Sequence, residues 1–306
     1  MSSIQQTQWG RPEEVAPTAL LRVATRLFTR PGLRLRLLLA APMFWLGVLY
    51  LGSLLMLFVT SIWTIDSFTG RIQRTFTLGN FVDLVSDPVY RIVAGRTLAV
   101  AALVTVLDAL IALPVAYFAA KVLRTTAARS LFVVAVSMPL WANYLVKGYA
   151  WRIMLDSNGV LDWLLRPLGG HGPGLGLSAT VLALMYLWLP YMILPVYAGF
   201  DRLPNSLLEA AADLGAKPWR TFRTVVFPMV LPAVIAGSVF TFSLTLGDYI
   251  MVKIVGRATQ LYANIVYDNI GVAGDLPFAA AAAVFPVVVV LGYLVAVRRT
   301  GALANL

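Results

Sequence analysis

Long apolar runs separated by short charged connections set the pattern of this chain. Six runs are long enough to cross ~30 Å of hydrocarbon at ~1.5 Å per helical residue. They fall near 37–62, 97–120, 128–150, 177–200, 225–247 and 276–297. Each holds proline: Pro42, Pro114, Pro139, Pro190 with Pro195, Pro228 with Pro232, and Pro286. Proline is tolerated in a membrane helix because neighbours can satisfy the carbonyl it frees. Its presence in all six runs predicts bent helices around a cavity, with a straight bundle carrying incidental prolines as the alternative. The predicted fold is an all-α integral membrane protein of six transmembrane helices. It divides into a basic arm at 1–36, one membrane domain at 37–300 and a short tail at 301–306.

Composition supports the membrane class. Of 306 residues 59% are hydrophobic and only 12% charged, and the mean hydropathy is +0.80. A soluble chain of this size needs far more polar surface. The absence of cysteine excludes disulfides, thiol nucleophiles and Cys-ligated metals.

The net charge of +10 would suit nucleic acid, but its distribution argues for topology instead. The arm, the 121–129 connection, the 201–224 connection and the tail hold six, three, four and two Lys or Arg, and carry the whole net charge. The connections at 63–91, 151–176 and 248–275 hold three, two and two. The positive-inside rule then places both termini in the cytoplasm. Residues 1–36 are too long and Arg-rich for a secretory signal, and read as a basic segment at the inner surface. Trp63, Trp151 and Trp163 in the outer connections suit interfacial anchors.

The connection 201–228, DRLPNSLLEAAADLGAKPWRTFRTVVFP, is the most informative stretch. Pro204 suits the first turn of a helix. Leu207, Leu208, Ala211 and Leu214 recur at helical spacing. Gly215 is placed to stop that helix as a left-handed cap, and Pro218 forbids its continuation. Glu209 and Asp213 put two acids on one face, costing a few tenths of a kcal/mol in isolation. A partner supplying cations or backbone N–H groups would offset that cost. The alternative, an amphipathic linker lying on the membrane, usually carries more Lys and Arg.

Glu209-Ala210-Ala211, three residues, Gly215, nine residues, then Val225-Val226-Phe227-Pro228 resembles the EAA loop of ABC-importer permease subunits. Val225 and Phe227 stand where that family usually has Ile and Leu. The resemblance implies a coupling helix docking into an ATPase subunit through Glu209, Ala210, Ala211, Asp213 and Gly215.

A second resemblance runs through Pro139-Leu140-Trp141, Lys147-Gly148-Tyr149-Ala150-Trp151, Asn158-Gly159-Val160-Leu161-Asp162 and Gly247-Asp248-Tyr249. These are similar to the permeases of spermidine/putrescine-type importers. Lys147 replaces an arginine, and Val252-Lys253 stands where Pro-Glu is common. Together the two resemblances cover roughly residues 37–297.

They imply a type I ABC-importer permease (MetI-like) fold in the bacterial cytoplasmic membrane. The implied partners are an ABC ATPase dimer, a second permease subunit forming a heterodimer, a solute-binding protein and membrane lipid, with no nucleic acid. The implied solute is a polyamine. Ferric ion, aminoethylphosphonate and opine-like or other amino compounds are the alternatives on the same scaffold.

Enzymatic chemistry finds no support in the chain. It has no Gly-x-x-x-x-Gly-Lys-Ser/Thr loop for ATP, so it holds no cofactor of its own and ATP falls to a partner subunit. His171, the single histidine, lacks a second ligand at metal spacing, and no catalytic constellation stands out.

Charge in hydrocarbon is expensive, so buried ionisable residues are candidates for the pathway. Asp108 either faces the pathway or hydrogen-bonds a neighbouring helix. Arg96 lies about 18 Å from it along the helix, on another face, so the two do not form an obvious pair. Candidate pathway residues are Asp108, Trp141, Asn143, Tyr144, Tyr149, Trp151, Asp248 and Tyr249. Carboxylates with aromatic faces suit a cationic solute, whereas Asp268 and Asp275 read as solvated loop residues. An ion-coupled secondary transporter working alone is the competing class, and Asp108 would be its only deep relay.

Overall fold

A computed structural model of the chain describes residues 31–66 and 68–299. Among the described residues five helices are long and apolar enough to cross a membrane: α1 (Leu38–Ser61), α3 (Pro88–Val122), α7 (Leu177–Asp201), α9 (Pro218–Gly247) and α12 (Leu276–Arg299). The sixth run is broken. It forms α4 (Thr126–Trp141), then α5 (Tyr144–Leu155) and α6 (Val160–Leu165), with a 93° bend after α4. Between α1 and α3 lie a two-stranded hairpin, β1 (Thr64–Ile65) paired antiparallel with β2 (Ile72–Gln73), and α2 (Gly79–Ser86). The short helices α8 (Asn205–Asp213), α10 (Ile250–Val255) and α11 (Tyr262–Asp268) complete the order.

The single helix expected over 128–150 is therefore corrected. Pro139 has no N–H to give the Ala135 carbonyl and so weakens the last turns of α4, and Asn143 starts a new helix by accepting the Leu145 N–H at 2.9 Å. Lys147 Nζ reaches back to the Pro139 carbonyl at 3.1 Å and satisfies the broken end.

Compact units divide at Leu57/Phe58. The arm at 1–30 and the tail at 300–306 lie outside the described residues. Within the first unit, the side chains of α1 from Leu38 to Leu51 are exposed, apart from half-buried Gly47, and a helix apolar on all sides suits lipid or another subunit. In the second unit α3, α7 and α9 pack mutually, with α4 against α7, α5 against α10, and α12 against α9 and α11.

Three apolar clusters hold the second unit together. One joins Val100 and Val104 of α3 to Leu184 of α7 and Met251 and Val255 of α10. A second, at the α8 end, joins Ala112 and Ala116 to Met192, Val196, Phe200, Val226 and Val230. The third packs α2, α11 and α12 around Tyr262 and Ile265. Buried polar residues lie between the first two: Thr105 and Asp108 on α3, and Ser238, Thr241 and Thr245 on α9. The threonines and the serine return their hydroxyls to backbone carbonyls one turn back, as at Thr105 to Ala101 (2.7 Å) and Thr245 to Thr241 (2.7 Å).

Glycine lets α7 and α9 approach closely, as small residues do at membrane helix contacts. A Cβ on Gly237 would lie 2.8 Å from Met192 Sδ and 3.1 Å from its Cα; one on Gly199 would lie 2.7 Å from Ala233 Cβ. Gly237→Leu is expected to cost about 1–3 kcal/mol through overpacking. A lowered Tm of the detergent-solubilised protein measures it, and an unchanged Tm would contradict this contact.

Candidate functional site

At one end of the bundle the connection between α7 and α9 forms the short helix α8. Pro204, at φ −66° and ψ 133°, precedes the helix as its N-cap and is not in the first turn, because its extended ψ leaves Asn205 as the first helical residue. The helix ends in a Schellman turn. Gly215 takes φ +72°, its N–H donates to Ala212 O at 2.8 Å, and the Ala216 N–H donates to Ala211 O at 3.0 Å. Leu208 and Ala211 turn inward, whereas Leu207 and Leu214 are exposed. The expected four-residue stripe is halved because Leu214 already sits in the cap.

The outward face of α8 presents Glu209, Ala210 and Asp213. Neither carboxylate is ion-paired among the described residues. Leu214 is 87% exposed and Trp219 70% exposed beside them. Acid and large apolar groups together on one small surface mark a protein contact more than a solvated turn. Next to it an apolar cavity of about 580 Å³ is lined by Leu208, Ala212, Trp219, Phe222, Tyr117 and Pro114, among others. The adjoining helix ends, Phe118–Val122 of α3 and Phe222–Val226 of α9, are each wound as a π turn. Such turns recur at functional sites.

The root of α8 is tied to the α3–α4 connection. Lys121 Nζ donates to Leu203 O at 2.6 Å and to Asn205 Oδ1 at 3.1 Å. Arg129 pairs with Asp201 at 3.4 Å and donates to Leu123 O at 3.0 Å. A displacement of α8 is therefore felt by α3 and α4 as well as by the helices it joins.

Toward the opposite end, two helix breaks face each other. α9 stops at Gly247 and α10 starts at Ile250, while α4 stops at Trp141 and α5 starts at Tyr144. Across them the Tyr144 hydroxyl donates to Asp248 Oδ2. Asp248 Oδ1 accepts the Met251 N–H at 2.9 Å, so the carboxylate also caps α10. Asp248 is buried, and it lines a cavity of about 260 Å³ with Tyr144, Trp188, Ser243, Gly247 and Tyr249. Two further polar atoms of this lining, Trp188 Nε1 and Ser243 Oγ, are buried with no hydrogen-bond partner among the described residues. Aromatic rings continue from it: Tyr144 to Trp188 (6.4 Å), Trp188 to Tyr191 (6.0 Å) and Tyr191 to Phe240 (6.3 Å). This lining offers a carboxylate, a spare N–H, a spare hydroxyl and ring faces to a small polar ligand.

Of the pathway candidates, Tyr144, Asp248 and Tyr249 come together here. Tyr249 also stacks on Tyr267 at 4.5 Å. The others lie elsewhere. Trp141 is 90% exposed and Tyr149 is exposed. Asn143 is engaged as a helix cap. Trp151 packs against Tyr186 at 5.3 Å beside the first apolar cluster. Asp108 is fully buried, with neither carboxylate oxygen hydrogen-bonded among the described residues.

Trp188 and Ser243 were not singled out from the sequence, although Ser238, Thr241, Ser243 and Thr245 within one apolar run signal a polar stripe. Asp268 is ion-paired with Lys253 at 2.5 Å, so it is not a free loop carboxylate and Lys253 is not a free cation. Asp275 caps α12 by accepting the Phe278 N–H at 2.9 Å. The Gly-rich segment after α6 is pinned, since Asp162 accepts Gly172 N–H at 3.0 Å and Arg166 Nε at 2.8 Å. No group of three metal-ligating side chains occurs among the described residues.

Residues 19–299 match the family described as "Binding-protein-dependent transport system inner membrane component". The chain is 42% identical over 296 residues to the inner membrane ABC transporter permease protein YdcU of Escherichia coli, covering 92% of this chain and 94% of the relative. It is 31% identical over 266 residues to the spermidine/putrescine transport system permease protein PotB of the same organism, covering 85% and 95%. Its backbone resembles that of a bacterial alginate ABC transporter solved with an alginate pentasaccharide-bound periplasmic protein. The TM-score is 0.66 over 90% of this chain and 96% of that one, at 16% identity, a likeness of fold alone.

Proposed function

The chain belongs to the family of binding-protein-dependent transport system inner membrane components, and from that premise we propose that it carries half of the pathway for a polyamine in an ATP-driven importer. Both termini and α8 lie on the cytoplasmic side in this reading, as the Lys and Arg distribution supports. A second, similar permease supplies the other half of the pathway, and a solute-binding protein delivers solute to the opposite face. ATP is bound and hydrolysed by a separate ATPase pair, and this chain needs no cofactor of its own.

The coupling begins at α8. Its exposed Glu209–Gly215 face rests on the ATPase, and closure of the ATPase pair displaces it. Lys121 and Arg129 pass that displacement to α3 and α4, and the π turns of α3 and α9 take up the change. Differential contact of α8 with the open and closed ATPase shifts the permease between its two states.

Solute passage is assigned to the Tyr144–Asp248 cavity. The single observation carrying this assignment is the buried Ser243 Oγ, an acceptor with no hydrogen-bond partner among the described residues, in a lining that already holds a carboxylate. A buried polar atom without a partner costs about 1–3 kcal/mol, and an ammonium group that donates to the Ser243 hydroxyl oxygen removes that cost. Asp248 and the aromatic faces suit an ammonium group, and the likeness to a spermidine/putrescine permease supports the same class.

The test is uptake of labelled spermidine and putrescine into proteoliposomes holding the whole complex. Ser243→Ala removes the hydroxyl acceptor with little change of shape, and Trp188→Leu removes a ring face of the cavity. Each is expected to weaken uptake about 3–10-fold, equivalent to one neutral hydrogen bond for Ser243 and one cation–π contact for Trp188. Unchanged uptake in both would move the pathway away from this cavity. Transport of another solute but neither amine would overturn the polyamine class while leaving the importer reading in place.

A further inference from the structure

The face opposite α8 carries a second cavity, of about 470 Å³, whose lining differs in kind from the Tyr144–Asp248 site. Two arginines are among its lining residues, Arg96 of α3 and Arg257 of the turn after α10, together with Leu175, Gly176, Gly256 and Thr259. Neither arginine is ion-paired or hydrogen-bonded through its side chain among the described residues.

The backbone around them is held in place. Gly176 N–H donates to Val255 O at 2.9 Å, Gly256 N–H to Val252 O at 2.8 Å, and Thr259 N–H to Gly256 O at 2.8 Å. Arg257 has φ 51° and is the non-glycine residue with positive φ among those described. A side chain other than glycine is uncommon in that region, so the turn keeps an arginine where glycine would fit more easily. The position of Arg96 is equally constrained. α3 spans 35 residues, about 52 Å, against ~30 Å of hydrocarbon, so a residue nine positions into it lies at the polar boundary.

A cationic solute is repelled by this cavity, so the cavity is not its route. We propose that Arg96 and Arg257 form an anion pocket that receives a carboxylate side chain of the solute-binding protein when it docks. This rests on the importer reading and deepens it by naming the chemistry of one docking contact. Complementary charge steers such encounters and sets their register. Here it has a further consequence: the arginines disfavour a free polyamine at the mouth and are neutralised only when the loaded carrier is seated. Delivery by the carrier is thereby favoured over entry of free solute.

The test uses the whole reconstituted transporter with the solute-binding protein of the same gene cluster, and reads ATPase stimulation against binding-protein concentration. Arg96→Glu with Arg257→Glu is expected to raise the half-maximal concentration at least ~10-fold and leave ATPase activity without binding protein unchanged. Arg257→Gly keeps the left-handed turn while removing the guanidinium; it is expected to raise that concentration ~3-fold or more, whereas Arg257→Lys stays near wild type. The wild-type response should weaken with salt, and the doubly reversed variant should lose that dependence.

A wild-type response with unchanged half-maximal concentration in the reversed variant overturns the pocket and leaves the importer reading intact. So does an unchanged binding-protein response accompanied by altered dependence on phosphatidylglycerol in the vesicles, which assigns the arginines to lipid phosphate. A wild type that no binding protein stimulates overturns both.

Discussion

A chain carrying Glu209→Arg and Gly215→Pro together is expected to purify folded but stripped of its ATPase subunit. Each change attacks a different part of the α8 surface. Gly215 sits at φ +72°, and proline, locked near φ −65°, cannot follow it there. Proline also lacks the N–H that Gly215 donates to Ala212 at 2.8 Å. Loss of the cap costs the turn about 3 kcal/mol and re-aims the exposed Leu214 beside it. Glu209 is exposed and unpaired among the described residues, so reversing its charge leaves this chain's own packing alone and changes only what meets a partner. The predicted result is about a tenfold or larger drop in ATPase co-purified from detergent, with the thermal transition shifted by only a few degrees. Gly215→Ala, which keeps the N–H at a cost of ~1–2 kcal/mol for the left-handed residue, should fall between. Stoichiometric ATPase on the double variant would remove α8 from the coupling role.

Asp248→Asn should reduce amine uptake nearly as far as Asp248→Ala, although it preserves far more structure. The carboxamide oxygen would still accept the Met251 N–H that starts α10, and its NH2 group would donate to the Tyr144 hydroxyl oxygen. What the variant loses is the negative charge. Asp248→Ala also removes the cap, worth ~1 kcal/mol, and strands the Tyr144 hydroxyl beside a cavity. A charge-assisted hydrogen bond contributes about 1.5–3 kcal/mol, so apparent affinity for an amine should weaken about 10–100-fold in either variant. Tyr144→Phe keeps the charge and should cost less. If Asp248→Asn transports normally and only Asp248→Ala fails, the carboxylate is a helix cap and the solute carries no cation to this site.

Local features were the legible ones. The α8 cap was readable because Gly215 and Pro218 act through their own backbone restrictions, whatever lies around them. Five of the apolar runs became continuous spans because their length alone decides the matter. The sixth did not, because hydropathy continues through Ala142 and Asn143 while the backbone turns. The two signals of that break were Pro139, which has a counterpart in every run, and an Asn, which caps only in context.

Pairings across the chain were not legible. Tyr144 and Asp248 were each nameable as polar residues at the ends of apolar runs, yet 104 positions separate them, and only packing of α5 on α10 brings them together. The pairing of Lys253 with Asp268, fifteen residues on, was likewise not readable from either residue alone. Trp188 was invisible for the opposite reason. An indole inside an apolar span reads as core, and its place in the lining of the Tyr144–Asp248 cavity appears only once the helices pack.

The most direct test of the account is uptake by the purified complex in proteoliposomes, with ATP inside and binding protein and solute outside, each omitted in turn. Accumulation is expected to need all three and to disappear with the Glu209→Arg, Gly215→Pro chain. Accumulation driven by an ion gradient through this chain alone, without ATPase or binding protein, would contradict it.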